Sequence, residues 1–321
     1  MLIESKNTTL SPIVSVAVTT YNHVLYLEEC LERILSQNFS EPYEIIIADD
    51  CSTDGTRDIC ERYQKQYPEK IRLLLQDSNK GFMRNFADLL KLCRGKYIAV
   101  CSGDDYWCDN TKMRKQYECL EQKDGYGFVR TEGYELRGGK LIATKGGHLD
   151  NEGDVRDIAI YGPLGYASSA FFKRELLQYF DMEELIRRGI TMEDYPMHAI
   201  FSHHTKFALI RERMVVYRIL DTSISHKKNL TQSKVQYAIG YQEARRYIME
   251  LYPNEVTWTE NEIQDAQNYA LLKYDFYKFD YKHANALLFQ TATYKRKLFV
   301  RYRTNRILFS FISILLHIRQ R

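Results

Sequence analysis

The chain lacks several features that would have decided its class at once. It has no internal repeat and no low-complexity linker, and its apolar stretch Ile307 to Ile318 is too short to cross a bilayer, where roughly 17 to 25 residues are needed. There is no G-x-x-x-x-G-K-[ST] loop and no G-x-G-x-x-G after the first apolar run, so P-loop and dinucleotide-binding readings lose their main support. Cysteine lacks a pattern. Cys30, Cys51, Cys60, Cys93, Cys101, Cys108 and Cys119 are odd in number, confined to the first 119 residues, and without the C-x-x-C spacing of a zinc site. Reduced thiols and a cytoplasmic setting are expected. The segment before Ile13 has neither a basic region nor a small-residue cleavage site, so no secretory signal is expected.

Acidic residues are absent from 295–321, which holds eight of the 45 Lys and Arg and leaves the rest of the chain net acidic. A basic segment with an apolar body reads as an interfacial anchor for anionic lipid. The alternative is a C-terminal helix packed on the domain. Because the basic charge is terminal and mixed with apolar residues, nucleic-acid binding is not expected.

What is present is an ordinary folded composition, 321 residues with 45% hydrophobic and 27% charged, enough for one large α/β domain and an appendage. From residue 13 to about 105, short β-rich runs alternate with longer amphipathic stretches, the pattern of βαβ units. Strands are predicted at Ile13–Thr19, Tyr43–Ala48, Ile71–Leu75 and Tyr97–Cys101. Helices are predicted at His23–Gln37, from an N-cap at Thr53 or Asp54 to about Tyr67, and at Phe82–Leu92. Gly125–Thr144 reads as a hairpin turning at Gly138-Gly139, followed by a strand at Ala167–Phe172, a helix at Glu193–Ser202 and one or two strands over Phe207–Arg218. Beyond about Thr231 long helical stretches rich in Tyr are predicted, broken near Pro253.

Three polar clusters, Thr19-Thr20-Tyr21-Asn22, Asp49-Asp50 and Asp104-Asp105, fall at predicted strand ends, where open parallel sheets gather their ligands. Asp104-Asp105 suits a hard cation, Mg²⁺ or Mn²⁺, that completes its shell with substrate phosphates and water. Its alternative is an acidic turn capping the next helix. His203-His204 and His226 lack partners at ligand spacing and read as structural or surface residues.

Together with Asn79-Lys80-Gly81-Phe82-Met83-Arg84-Asn85 and Ser102-Gly103-Asp104-Asp105-Tyr106-Trp107, these clusters resemble, in order and spacing, the motifs of family 2 glycosyltransferases with the GT-A fold. The resemblance covers roughly residues 11 to 225 and is closest to bacterial members that build capsule, lipopolysaccharide or other surface glycans. It implies a Rossmann-like, mostly parallel sheet flanked by helices, with a nucleotide-binding half (about 11–108), an acceptor half (about 109–230) and a helical C-terminal region (231–321). It also implies an inverting, metal-dependent transferase at the inner face of the membrane. Such an enzyme takes a nucleotide-sugar donor, UDP-linked by the family pattern, and a glycan or lipid-linked acceptor.

By the same resemblance Tyr21 stacks on the base, Thr19 contacts it, and Asp50 accepts a hydrogen bond from its ring N–H. Asp104 goes to the ribose and Asp105 to Mn²⁺ or Mg²⁺; the chain has x-D-D where relatives often carry D-x-D. Arg84 reaches the nucleotide or serves as a solvated helix-face residue. Asp49 has the alternative role of capping the turn with Ser52. Transfer to a hydroxyl needs a general base, and Thr191-Met192-Glu193-Asp194-Tyr195 resembles the family's acidic motif, with Asp194 as that base and a plain helix cap as the alternative. Val216-Tyr217-Arg218 with Ser223 and Ser225 resembles a segment that follows the base in relatives and receives no role. A nucleotidyltransferase would need a glycine-rich N-terminal loop, which Ser15 to Asn22 does not supply. A non-catalytic nucleotide- or glycan-binding scaffold would have no need of Asp194.

Overall fold

The computed structural model describes residues 1–4, 11–144, 155, 157–158, 165–220, 232–256, 258–264, 267–268 and 271. The basic segment 295–321, with Ser223, Ser225 and His226, lies outside them. Contacts divide the chain into two units, Met1–Glu184 with Glu193–Arg218, and Leu185–Met192 with Ile219–Arg321.

The first unit is built on one sheet. Its parallel centre consists of β2 (Val14–Thr20), β3 (Tyr43–Asp49), β4 (Ile71–Leu75) and β5 (Tyr97–Ser102), after a two-residue edge strand β1 (Leu2–Ile3). The order is β1-β4-β3-β2-β5, with β1 antiparallel and the other neighbours parallel. The chain thus moves outward from β2 to β4 and returns to β5 on the other side of β2. That reversal opens a crevice at the carboxyl ends of β2 and β5.

Helices α1 (Leu27–Leu35) and α2 (Thr56–Gln66) carry the outward crossovers, and α3 (Phe82–Leu90) carries the return. Leu27, Leu31 and Ile34 of α1 and Ile59 and Tyr63 of α2 share one buried cluster with Val14, Val16, Val18, Ile45, Ile47 and Leu73. The strands are apolar on both faces because helices cover both.

The strand predictions hold within a residue or two, but the second helix starts differently. Its N-cap is Gly55, in the left-handed region at φ 99°, and no side chain caps it. Asp54 acts one residue earlier, accepting the Thr56 N–H at 3.0 Å and the Val24 N–H at 3.1 Å, and so ties the loop after β2 to the loop after β3.

Beyond β5 come the short β6 (Tyr106–Trp107), α4 (Lys112–Gln122) and the predicted hairpin of β7 (Tyr126–Arg137) and β8 (Lys140–Thr144). Gly138 and Gly139 both have positive φ, the backbone a tight two-residue turn requires. Then follow β9 (Phe171–Lys173), α5 (Met182–Arg187), α6 (Asp194–His204) and β10 (Lys206–Arg218). The sheet continues from β5 as β9-β7-β10-β6, with β8 paired to β7.

The predicted strand at Ala167–Phe172 is only half a strand. Ala167–Ser169 forms a single 3₁₀ turn, stabilised where the Ser169 hydroxyl donates to the Tyr166 carbonyl at 2.7 Å, and pairing begins at Phe171. That turn places Ser168 beside the acidic pair.

In the second unit, α7 (Gln232–Leu251) packs against the segment 185–192. A Cβ at Gly240 would lie 2.6 Å from the Thr191 hydroxyl, so only glycine permits this approach. Arg188 pairs with Glu243 and Glu250.

Candidate active site

Three strand ends of the first unit are locked together by main-chain bonds. The Gly103 N–H donates to the Thr19 carbonyl at 2.8 Å, and the Asp50 N–H donates to the Thr20 carbonyl at 3.0 Å. Thr19, Asp50, Asp104 and Asp105 are thereby brought to one crevice. Tyr21 projects from its edge and is 43% exposed, with a face open for stacking. The loop that carries it is held by the Asn22 N–H to the Ser52 hydroxyl (2.9 Å) and the Thr53 N–H to the Asn22 side-chain oxygen (2.9 Å). Asn22 and Cys51 adopt positive φ to make these contacts, a conformation found more often at functional loops than elsewhere.

The neighbours Asp49 and Asp50 do different work. Asp49 is fully buried, accepts the Ser52 N–H and pairs with Arg57 at 2.8 Å; it closes the turn. Asp50 accepts the Lys80 N–H at 2.7 Å on one oxygen and the Gly81 N–H at 2.9 Å on the other. Burial raises its pKa against the pull of these two amides. Each oxygen keeps a further lone pair, so Asp50 organises the loop before α3 and still offers an acceptor.

The Asp104-Asp105 pair is also divided. Asp105 is 1% exposed, accepts the Ser168 hydroxyl at 2.6 Å and the Arg218 N–H at 3.0 Å, and burial with Asp104 alongside pushes its pKa well above the usual carboxylate range. Asp104 keeps part of its carboxylate in the crevice, 3.9 Å from His23 Nε2. Burial lowers the His23 pKa, with Asp104 and Asp54 pulling the other way. His23 Nδ1 and the Thr20 hydroxyl are buried here without a hydrogen-bond partner, an uncommon arrangement at an otherwise satisfied strand end.

A divalent ion fits this donor set. No group of three or more His, Cys, Asp or Glu among the described residues is arranged to hold an ion, so such an ion would take few ligands from protein and the rest from phosphate and water, the habit of Mg²⁺. The buried carboxylate, unfavourable as an anion on its own, is the group that a cation would relieve.

The remaining predicted residues make other contacts. Arg84, in the first turn of α3, is paired with Glu183 at 2.6 Å, and Lys91 shares the same carboxylate. Asp194 opens α6, accepts the Tyr195 N–H at 2.8 Å and is partly exposed. Burial raises its pKa to about 6, whereas burial together with Asp194 pushes Glu193 up to about 8.

Four residues escaped the sequence reading. Arg218 closes the crevice from the far end of β10. Its guanidinium lies 4.6 Å from the Tyr106 ring and 5.1 Å from the Tyr26 ring, donates to the Asp104 carbonyl at 2.6 Å and pairs with Glu29. Glu29, His23 and Ser168 are the others. The position of His23 directly after Tyr21-Asn22 was a usable signal; Ser168 and Glu29 had none.

A mostly parallel sheet with a crevice at its strand reversal, lined by an exposed tyrosine and two acidic clusters, is the architecture of the GT-A fold. The comparisons agree. The model described as "Glycosyl transferase family 2" matches residues 15–180, just over half of the chain, and the chain belongs to that family.

An uncharacterized protein of Mycobacterium tuberculosis is 42% identical over 108 residues, 34% of this chain and 31% of that protein; the chain thus matches about a third of its length. The putative teichuronic acid biosynthesis glycosyltransferase TuaG of Bacillus subtilis is 28% identical over 256 residues, 78% of this chain and 94% of that one. Among solved structures, S. aureus TarS 1-349 in complex with UDP has a TM-score of 0.56 at 16% identity, covering 96% of this chain and 86% of that one. The mannosyltransferase PcManGT from Pyrobaculum calidifontis, in complex with GDP-Man and Mn²⁺, has 0.55 at 15%, covering 99% and 88%. These structures share the fold.

Proposed function

We propose that the chain transfers a sugar, with inversion, from a uridine diphosphate donor to a hydroxyl of a glycan or lipid-linked acceptor in cell-surface polysaccharide synthesis. The observation that carries this reading is the convergence of Thr19, Tyr21, Asp50 and Asp104-Asp105 at bonded strand ends. The surface-glycan setting is supported by the likeness to TuaG over most of both chains, and the uridine donor by the likeness to TarS with UDP. Asp50 is a carboxylate acceptor, which suits a base with a ring N–H such as uracil.

In this reading Tyr21 stacks on the base, with Thr19 and Asp50 at its edge. Asp104 faces the ribose, and Asp105, oriented by Ser168 and the Arg218 N–H, holds Mg²⁺ or Mn²⁺. When bound, the ion neutralises charge on the departing diphosphate. Asp194 removes the acceptor proton as the hydroxyl oxygen bonds to the anomeric carbon and the bond from that carbon to the diphosphate oxygen breaks. The products are the glycoside and the nucleoside diphosphate, with the proton on Asp194.

Arg84 belongs to this reading only if it exchanges Glu183 for the diphosphate. Attachment to the inner membrane face rests on the composition of 295–321. No helix among the described residues is long and apolar enough to cross a membrane.

A panel of uridine and guanosine diphosphate sugars with Mn²⁺, read by thermal shift, tests the donor assignment, since a ligand stabilises by RT ln(1 + [L]/Kd). Stabilisation by the uridine series that Tyr21→Ala abolishes is the expected result. Stabilisation by the guanosine series alone would overturn the base assignment.

A further inference from the structure

A second concave site lies at the opposite end of the same sheet. Ile13, just before β2, Arg94 and Lys96, before β5, and Lys173 and Arg174, where β9 ends, line a cavity of about 700 Å³, with Glu175 the one acid in its wall among the described residues. Because β2 and β5 are parallel and β9 is antiparallel to β5, with Tyr97 opposite Lys173, the amino ends of the central strands and the end of β9 meet there. The donor crevice occupies the carboxyl ends.

Four cations line the cavity, two of them paired with carboxylates and two not, among the described residues. Arg94 pairs with Glu4, a carboxylate already shared with the buried Arg72, and Lys96 pairs with Glu121. Lys173 and Arg174 form no ion pair among the described residues. The Arg174 Nε donates to the Gly95 carbonyl at 2.8 Å and its backbone N–H to the Lys96 carbonyl at 2.9 Å, which anchors the guanidinium base while its terminal nitrogens make no hydrogen bond among the described residues.

The backbone beneath is rigid as well. The Arg94 and Gly95 N–H groups donate to the Ser15 hydroxyl at 3.0 and 2.8 Å. A Cβ on Gly95 would stand 2.5 Å from the Ser15 nitrogen, so the loop packs as closely as glycine allows. Like charges held together on a fixed frame repel one another unless an anion joins them.

We infer that this cavity is a binding site for a phosphate group, separate from the donor crevice. A phosphate presents several acceptor oxygens to the Arg174 guanidinium and the Lys173 ammonium, the recognition arginine favours, with Arg94 and Lys96 adding positive charge already shared with carboxylates. Ile13 and Pro12 add an apolar wall suited to the glycerol side of a lipid headgroup. Free phosphate and an anionic headgroup share this chemistry, and the test separates them.

The experiment uses the full chain and the variant Lys173→Glu/Arg174→Glu, with Lys173→Gln as a milder second. One arm measures binding of inorganic phosphate by calorimetry. The other measures co-sedimentation with vesicles of phosphatidylglycerol and phosphatidylcholine against phosphatidylcholine alone. The expected result is binding in at least one arm that the double variant weakens about tenfold or more and added salt reverses. Loss confined to the calorimetric arm identifies free phosphate as the ligand; loss confined to vesicles identifies the headgroup.

If both variants bind both probes as the wild-type chain does, or if the wild-type chain binds neither, the inference is overturned. Basic residues in 295–321 are present in every protein compared, so binding carried by that segment would survive in the variants and count against the cavity. Donor hydrolysis, expected within about twofold of wild type, reports folding and the crevice separately.

Discussion

Arg218 and Asp105 are joined main chain to side chain, the Arg218 N–H donating to the Asp105 carboxylate at 3.0 Å, 113 residues away in sequence. The Arg218 side chain then returns to the Asp104 carbonyl and to Glu29. A residue from β10 therefore holds the Asp105 carboxylate and the Asp104 main chain together. Arg218→Ala keeps the main-chain N–H to Asp105 but frees the Asp104 carbonyl and Glu29; on the proposed reading it is expected to lower donor turnover by about 10- to 100-fold, the range for residues that support a metal ligand, and to raise the Mn²⁺ concentration needed for half-maximal rate. Arg218→Lys keeps the charge but not the planar stack between Tyr26 and Tyr106, and is expected to recover little. A metal titration of both variants checks this. Wild-type metal dependence in Arg218→Ala would remove the positioning role.

Asp105 is costly to the empty fold. Its pKa is raised relative to the unfolded chain, so the folded state prefers the protonated form. The cost is absent at pH values below the unfolded pKa and grows as pH rises toward the folded one. Asp105→Asn is therefore expected to leave the metal-free protein as stable as wild type or more so at pH 7, while turnover falls by about a hundredfold or more. Thermal melts with EDTA, set beside turnover with Mn²⁺, give both numbers. Loss of stability and activity together would point to a structural carboxylate.

The acceptor side predicts a pH profile. With Asp194 at about 6 and Glu193 at about 8, the rate of transfer should rise with pH through an apparent pKa near 6 as Asp194 loses its proton. Asp194→Asn should abolish transfer while leaving nucleotide affinity intact, and Glu193→Gln should stay active. Because burial raises both pKa values, these two groups favour the fold at low pH and lose that contribution as pH rises from the unfolded carboxylate range toward 8. Initial rates across pH 5 to 8 decide between the two acids; an acid limb that disappears in Glu193→Gln would transfer the role.

Gly103 predicts a tight limit. A Cβ there would meet the Thr20 hydroxyl at 2.9 Å, Thr20 Cβ at 3.0 Å and His23 Nδ1 at 3.1 Å. Gly103→Ala is expected to cost about 1 to 3 kcal/mol, as overpacking does, and to weaken donor binding by displacing the Thr20-Tyr21 loop. Urea unfolding and nucleotide titration of the variant measure the two effects.

Much of this was legible before the structure. Ile45-Ile46-Ile47 and Tyr97-Ile98-Ala99-Val100 are apolar without alternation because helices cover both faces, so the central strands and their polar ends could be placed from local pattern alone. What pattern could not show was contact between distant segments. The partners of Asp105, Ser168 and Arg218, come from a 3₁₀ turn and a strand end far along the chain. The 3₁₀ turn itself hides in Ala167–Phe172, whose composition suits a strand until Ser169 bonds back to Tyr166. The split of Asp49 from Asp50 was suggested by Ser52, but Arg57 as the partner of Asp49 required the fold.

The six residues of β5, Tyr97–Ser102, run from the basic cavity to the acidic pair and at about 3.3 Å per residue act as a ruler of about 20 Å. If the cavity rests on a phosphate-rich surface, the transfer step takes place that far above it. An acceptor rooted in the same surface then needs a stem of comparable reach before its terminal hydroxyl meets the donor. The length of one strand would in that way select extended acceptors over short ones, without any contact to the sugar being added.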